Sequence, residues 1–142
     1  MKKSFWLVML MVAMVFSLAA CGGNESGEDA ANTEAPAVKV GFIYSAPTGD
    51  EGFVDMHDNA RKALEEKYGV ETAYVENVLD TNAAESEKAM RQLIDQGCNV
   101  IYACSFGYMD SVLALAEEFP DVKFGHATGY QTAENVSTYF GR

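Results

Sequence analysis

Short apolar runs and longer amphipathic stretches alternate from Val38 onward, and such an alternation leaves few folds open. "VKVGFIY", Val38 to Tyr44, is nearly all apolar, as a strand covered on both faces is. Behind it Phe53, Met56, Ala60, Leu64 and Tyr68 recur at helical spacing with Ala63 beside them. Asp55, Asp58, Lys62 and Glu66 fall largely elsewhere on the wheel. The spacing predicts a helix that packs this apolar stripe on a sheet and stops at Gly69. Val70 to Val78 alternates and is more polar, which reads as a strand near a sheet edge. Asn82 with Glu85 three residues on gives a capping-box-like start to a second helix, whose apolar face is Met90, Leu93 and Ile94 before Gly97. "NVIYAC", Asn99 to Cys104, is a third strand. A helix carrying Val112, Leu113, Leu115, Ala116 and Phe119 follows and stops at Pro120. "VKFGHA", Val122 to Ala127, and "NVSTYF", Asn135 to Phe140, complete five strands.

This order implies right-handed crossovers and an α/β fold, an open parallel sheet with helices on both faces. Ligands of such sheets bind at the C-terminal ends of the strands. Here those ends are Ser45 to Phe53, Val78 to Asn82, Ser105 to Met109 and Ala127 to Thr132.

The first twenty residues obey another rule. Lys2 and Lys3 precede an apolar run from Phe5 to Ala20, too short for a comfortable membrane span of ~20 apolar residues and typical of an export signal. Leu18-Ala19-Ala20-Cys21 resembles the lipobox of bacterial lipoproteins, which implies a signal peptide over 1–20, a diacylglyceryl group on Cys21, and a place on the extracytoplasmic face of the cell membrane. Two acyl chains suffice for stable anchoring. The next sixteen residues, "GGNESGEDAANTEAPA", hold four acids and no large apolar side chain. Residues 21–37 therefore read as a lipidated, disordered acidic tether, with a span on the order of 20 Å. Residues 38–142 are enough for one hydrophobic core.

Once Lys2 and Lys3 are removed with the signal, the ten basic side chains become eight against 21 acids, a formal charge of −13. Nucleic acid is excluded as a partner on that balance. Cys98 and Cys104 bracket an extended strand that would hold them roughly 20 Å apart, far beyond disulfide reach, so both read as buried thiols. No metal-ligand spacing accompanies them, and neither His57 nor His126 belongs to a metal cluster.

The loop "YSAPTGDEGF", Tyr44 to Phe53, has no phosphate-binding glycine pattern, and none occurs elsewhere in the chain. Asp50 and Glu51 would repel a phosphate held about 4 to 6 Å away, and no lysine or arginine lies between Val40 and Ala60 to offset them. A neutral or cationic ligand is expected. Phe53 has two readings, as the first packed residue of the helix or as an exposed ring for a flat ligand. "CSFGYMD" brings Ser105, Phe106, Gly107 and Tyr108 to the end of a central strand, with a hydroxyl, rings and backbone donors suited to a small polar heterocycle. "ACSFG" also approximates the nucleophile elbow of serine hydrolases, which would need His126 and, from the usual order of such triads, an acid among Asp110, Glu117, Glu118 and Asp121. A phosphoacceptor receiver is excluded, because Ser45-Ala46 and Cys104-Ser105 stand where its acids belong.

"KVGFIYSAPTGDEGFVDMHDNARKALEEKYGVETAYVENV", "AMRQLIDQGCNVIYACSFGYMDSVLALAEEFPDVKFGHATGY" and "NVSTYFGR" resemble the first lobe of the basic membrane protein family, substrate-binding lipoproteins of ABC transporters. The resemblance runs from Lys39 to Arg142 and is to the purine-binding branch. It implies the first lobe of a periplasmic-binding-protein type I, Rossmann-like fold, and a receptor rather than an enzyme. No cofactor is implied. Its partners would be a purine base or nucleoside and an ABC permease; a ligand sensor on the same scaffold is the alternative. Ser45, Asp50, Phe53, Ser105, Phe106 and Gly107 would then bind the ligand, with Phe53 stacking on the base and Asp50 accepting from an exocyclic amine. His126 and Thr128 would sit at the rim. Members of the family continue past the Gly141-Arg142 position into a hinge and second lobe. The sequence is accordingly expected to be a fragment that binds purines weakly at most by itself.

Overall fold

A computed structural model describes residues 37–141; the expected signal segment, Cys21 and the tether through residue 36 lie outside them. The chain runs β1 (Lys39–Tyr44), α1 (Phe53–Tyr68), β2 (Glu71–Val75), α2 (Ala83–Asp95), β3 (Val100–Cys104), a 3-10 turn (Phe106–Tyr108), α3 (Met109–Glu118), β4 (Lys123–Ala127) and β5 (Val136–Tyr139). All five strands are parallel, in the order β2-β1-β3-β4-β5. The polar second strand is indeed an edge, and the two most apolar strands are central.

Alternation along the strands divides the core. Ile43, Ile101, Ala103 and Phe124 face α2 and α3, where Met90, Leu93, Val112 and Leu115 are buried against them. Val40, Phe42, Tyr44 and Cys104 face the other way, toward α1 and Val54. Two helices thus cover one face and a single helix the other, as crossovers of one hand from β1 toward β2 and then back past β1 require.

The helix limits follow local chemistry. Gly69 closes α1 in the left-handed region at φ 65°, its N–H donating to the Glu65 carbonyl at 3.0 Å. Asn82 caps α2 by accepting from the Glu85 N–H at 3.3 Å. At the end of α3 the buried Asn135 amide donates to the carbonyls of Ala116, Phe119 and Val122, at 3.0, 3.1 and 2.9 Å. Ala116 lies in the last turn of α3 and Phe119 and Val122 in the turn that follows it, so Asn135 ties the start of β5 to the helix end and to that turn.

One expectation fails. Met56 and Tyr68 of the stripe do not pack on the sheet, being 64 and 65% exposed, while Phe53, 43% exposed, agrees with the second of its two readings, an exposed ring. Val54, Asp58 and Arg61 are buried instead, a rotation of about one residue, or roughly 100°. The sheet surface beneath is the reason. It presents Tyr44, Thr72 and Tyr74, and Arg61, paired with Asp58, meets the Thr72 hydroxyl and the Tyr74 ring face where a hydrocarbon side chain would leave the hydroxyl unpartnered. Arg61 lies 4.8 Å above the Tyr74 ring and donates to Thr72 Oγ1 at 3.1 Å. Of the predicted stripe, Leu64 still packs inward.

Candidate functional site

The strand order reverses between β1 and β3, and the crevice above that switch point is where open α/β sheets receive ligands. The loop after β1 is fastened by its own acids. Asp50 accepts from the N–H groups of Gly52, Val54 and Asp55 at 2.8, 3.2 and 3.0 Å, supplying the cap that Gly52 cannot give α1. Asp55 accepts in turn from Gly49 and Glu51 at 2.6 and 2.9 Å. Glu76, at the end of β2, takes both the N–H and the hydroxyl of Thr48, at 2.7 and 3.0 Å. Ser45, half-buried, begins this loop.

Phe53 opens α1 with its ring exposed and tilted against His57, centroids 4.6 Å apart. These two rings, with Met56 and Ala60, form one wall of a mostly apolar cleft of about 240 Å³; Ala127, Thr128, Tyr139 and Phe140 form the other. A complete small-molecule pocket is typically larger, roughly 300–1,000 Å³. Thr128 is strained: its φ of 63° is unusual for a β-branched residue. Its N–H donates to the Tyr139 carbonyl at 2.7 Å and its hydroxyl to the Ala127 carbonyl at 2.6 Å, so the surroundings hold the conformation in place.

A second cluster stands at the end of β3. The Ser105 hydroxyl donates to Asp80 Oδ2 at 2.5 Å, and His126, fully buried, donates from Nε2 to the Ser105 carbonyl at 2.8 Å. The imidazole is therefore engaged by the backbone of Ser105 rather than its hydroxyl, which removes the geometry that a hydrolytic triad needs. Gly107 is pressed on the loop after β2, since a Cβ there would lie 2.6 Å from the Asp80 carbonyl oxygen. Phe106 is exposed and faces Tyr130, ring centroids 6.3 Å apart.

Of the residues named from sequence, Ser105, Phe106 and Gly107 share one cluster, Phe53 and Thr128 share the cleft, and His126 lies beneath the rim rather than on it. Ser45 and Asp50 belong to the fastened loop. The cleft also contains His57, Tyr139 and Phe140, and the cluster at the end of β3 contains Asp80; spacing marked none of these. Burial keeps both thiols inert: it pushes Cys98 up, and Cys104 up to about 12. Among the described residues no cluster of potential metal ligands occurs and no helix is long and apolar enough to cross a membrane.

The family described as Bmp, ABC transporter substrate-binding protein PnrA-like, matches residues 37–142. A purine-binding protein of Brucella abortus is 49% identical over 107 residues, 74% of this chain and 30% of that protein. A putative ABC transporter glucose-binding protein of Haloferax volcanii is 38% identical over 122 residues, 85% of this chain and 30% of that relative. The chain thus spans 30% of the length of these two relatives. Among solved structures, an ABC transporter solute-binding protein from Conexibacter woesei is similar with a TM-score of 0.65 and 24% identity, over 73% of this chain and 35% of that one. Another from Aeropyrum pernix gives 0.61 and 19%, over 72 and 28%. These likenesses establish the solute-binding-protein fold for the sheet and helices described above. With its family match extending over all the described residues, the chain belongs to the Bmp family of PnrA-like ABC transporter substrate-binding proteins.

Proposed function

We propose that the protein is the extracytoplasmic receptor of an ABC importer, lipid-anchored through Cys21, which captures a purine base or nucleoside and passes it to a membrane permease. No bond is made or broken in this role. The observation that carries the reading is the exposed Phe53 ring in an apolar cleft, on a rim whose loops, residues 45–52, 76–82, 105–108 and 128–135, contain no lysine or arginine. An uncharged aromatic gains a stacking face there, while a phosphate finds no cation. The purine-binding name of the Brucella relative supports the same ligand class. The name of the Haloferax relative favours a second reading, glucose, since sugars also lie flat on aromatic rings.

Calorimetric titration of the complete gene product with adenine, guanosine, inosine and glucose tests both. Micromolar or tighter binding of a purine is expected; a response to glucose alone would replace the ligand class, and no response to any purine would end the proposal. Deletion of the companion permease then separates transport from sensing. Lost purine uptake supports the importer, and unchanged uptake supports a sensor on the same scaffold.

A further inference from the structure

Asp80 differs from Asp50, Asp55 and Glu76 in what it holds. Asp50 and Asp55 use both of their oxygens on the backbone of the first loop, and Glu76 pins Thr48. Asp80 reaches across to another loop, where its Oδ2 accepts a hydrogen bond from the Ser105 hydroxyl at 2.5 Å. It is half-buried, and it forms no ion pair among the described residues. Its position is fixed from several sides. Val78 donates its N–H to the Tyr44 carbonyl at 3.1 Å, and the buried Tyr108 hydroxyl donates to the Val78 carbonyl at 2.6 Å. The bare Gly107 backbone closes the other side, where a Cβ would stand 2.9 Å from the Asp80 carboxyl carbon.

The chemistry of this pair is one-sided. A serine hydroxyl has one proton, and here it goes to Asp80, so the remaining Ser105 lone pairs can only accept. The carboxylate offers acceptor sites as well, with Oδ1 outside the Ser105 bond. No lysine or arginine in the rim loops is available to fill them. Beside the exposed Phe106 ring, the lobe therefore presents an edge made of acceptors.

We propose that Asp80, with Ser105 beside it, is the specificity-determining acceptor of this site and selects ligands that offer an N–H or O–H donor. The proposal rests on the purine-receptor reading and adds the feature of the purine that is recognised. The donor is a base amine or a ribose hydroxyl, and the two are separable by titration. The complete protein and its Asp80→Asn variant are titrated with adenine against unsubstituted purine, and with adenosine against its dideoxy analogue. In at least one pair the donor-bearing member is expected to bind roughly tenfold or more tightly to the native protein, as a charged acceptor implies. Asp80→Asn should bring that ratio to within about twofold, because an amide is the weaker acceptor. A folded Asp80→Asn protein that keeps the native ratio overturns the proposal. So does a native protein that binds both members of both pairs equally, a result that needs no variant to fold. Native protein that binds none of the four compounds ends the purine reading itself, and this proposal with it.

Discussion

Arg61 Nε donates to Asp58 Oδ1 at 2.7 Å beneath α1, and both side chains are buried between helix and sheet. Lys62 completes the arrangement from the solvent side, its Nζ 2.7 Å from Asp58 Oδ2. Removal of the carboxylate would leave a buried guanidinium with only Glu65 to balance it. Asp58→Ala is expected to destabilise the lobe by about 3 kcal/mol, the lower part of the range for a broken buried pair. Lys62→Ala, at an exposed partner, should change stability by less than about 1 kcal/mol. Urea denaturation of the two variants provides the comparison.

Acid should weaken the same region. Burial by itself would raise the Asp58 carboxyl, but hydrogen bonds from Lys62 and Arg61 outweigh it and hold the group below the ordinary carboxylate range. Asp50 is held low as well, by the Gly52 N–H first and that of Asp55 next. Depressed groups of this kind stabilise the fold fully above the unfolded carboxylate value, about 3.9, and cease to do so as pH falls through the lower folded value. Denaturation midpoints should therefore drop below about pH 4, and Asp58→Asn should make that drop shallower.

Thr128 carries backbone strain into the cleft wall. Asparagine tolerates the left-handed region better than a β-branched residue does, so Thr128→Asn is expected to stabilise the protein by about 1 kcal/mol. A thermal melt that shows a loss would mean that the hydroxyl bond to Ala127 outweighs the strain.

Gly129 has the opposite sensitivity. A Cβ built on it would overlap the His126 ring, 2.0 Å from Nδ1, and that ring is anchored through Nε2 to the Ser105 carbonyl. Gly129→Ala should cost about 2–3 kcal/mol as the loop or the ring is forced aside. Because the imidazole holds the Ser105 backbone, ligand affinity should decline in the same variant, measurable by calorimetry at a temperature where it remains folded.

On the purine-receptor proposal, Phe53 should separate binding from stability. With its ring exposed, Phe53→Ala should alter the unfolding free energy by less than about 1 kcal/mol. Purine affinity should fall by about tenfold to a hundredfold, the value of a stacked base, while Phe53→Trp should retain it. Equal affinity in the alanine variant would place the ligand elsewhere.

The five strands, the edge place of β2 and the central place of β3 were legible because β1 and β3 are apolar on both sides, as buried parallel strands are, and because β2 is visibly more polar. The orientation of α1 was not. Hydrophobic spacing assumes that apolar side chains go inward, whereas Tyr44, Thr72 and Tyr74 make the sheet surface hospitable to Asp58 and Arg61 and release Phe53 and Met56 to the cleft. Asp80 was hidden for another reason: it is one acid in a polar loop, and its meaning comes from Ser105, 25 residues away, brought to it where the loops after β2 and β3 meet over the end of β1. Asp50 was visible as a charge, but its capping bonds to α1 became evident only with the backbone in place.

The carboxylates that fasten the first loop shape how such a receptor would work in time. A segment already tied down surrenders little freedom when a guest arrives, so encounter should need no slow rearrangement of this wall. Differences among guests would then lie in how long each one stays, and for uncharged guests the rate of arrival should scarcely depend on salt.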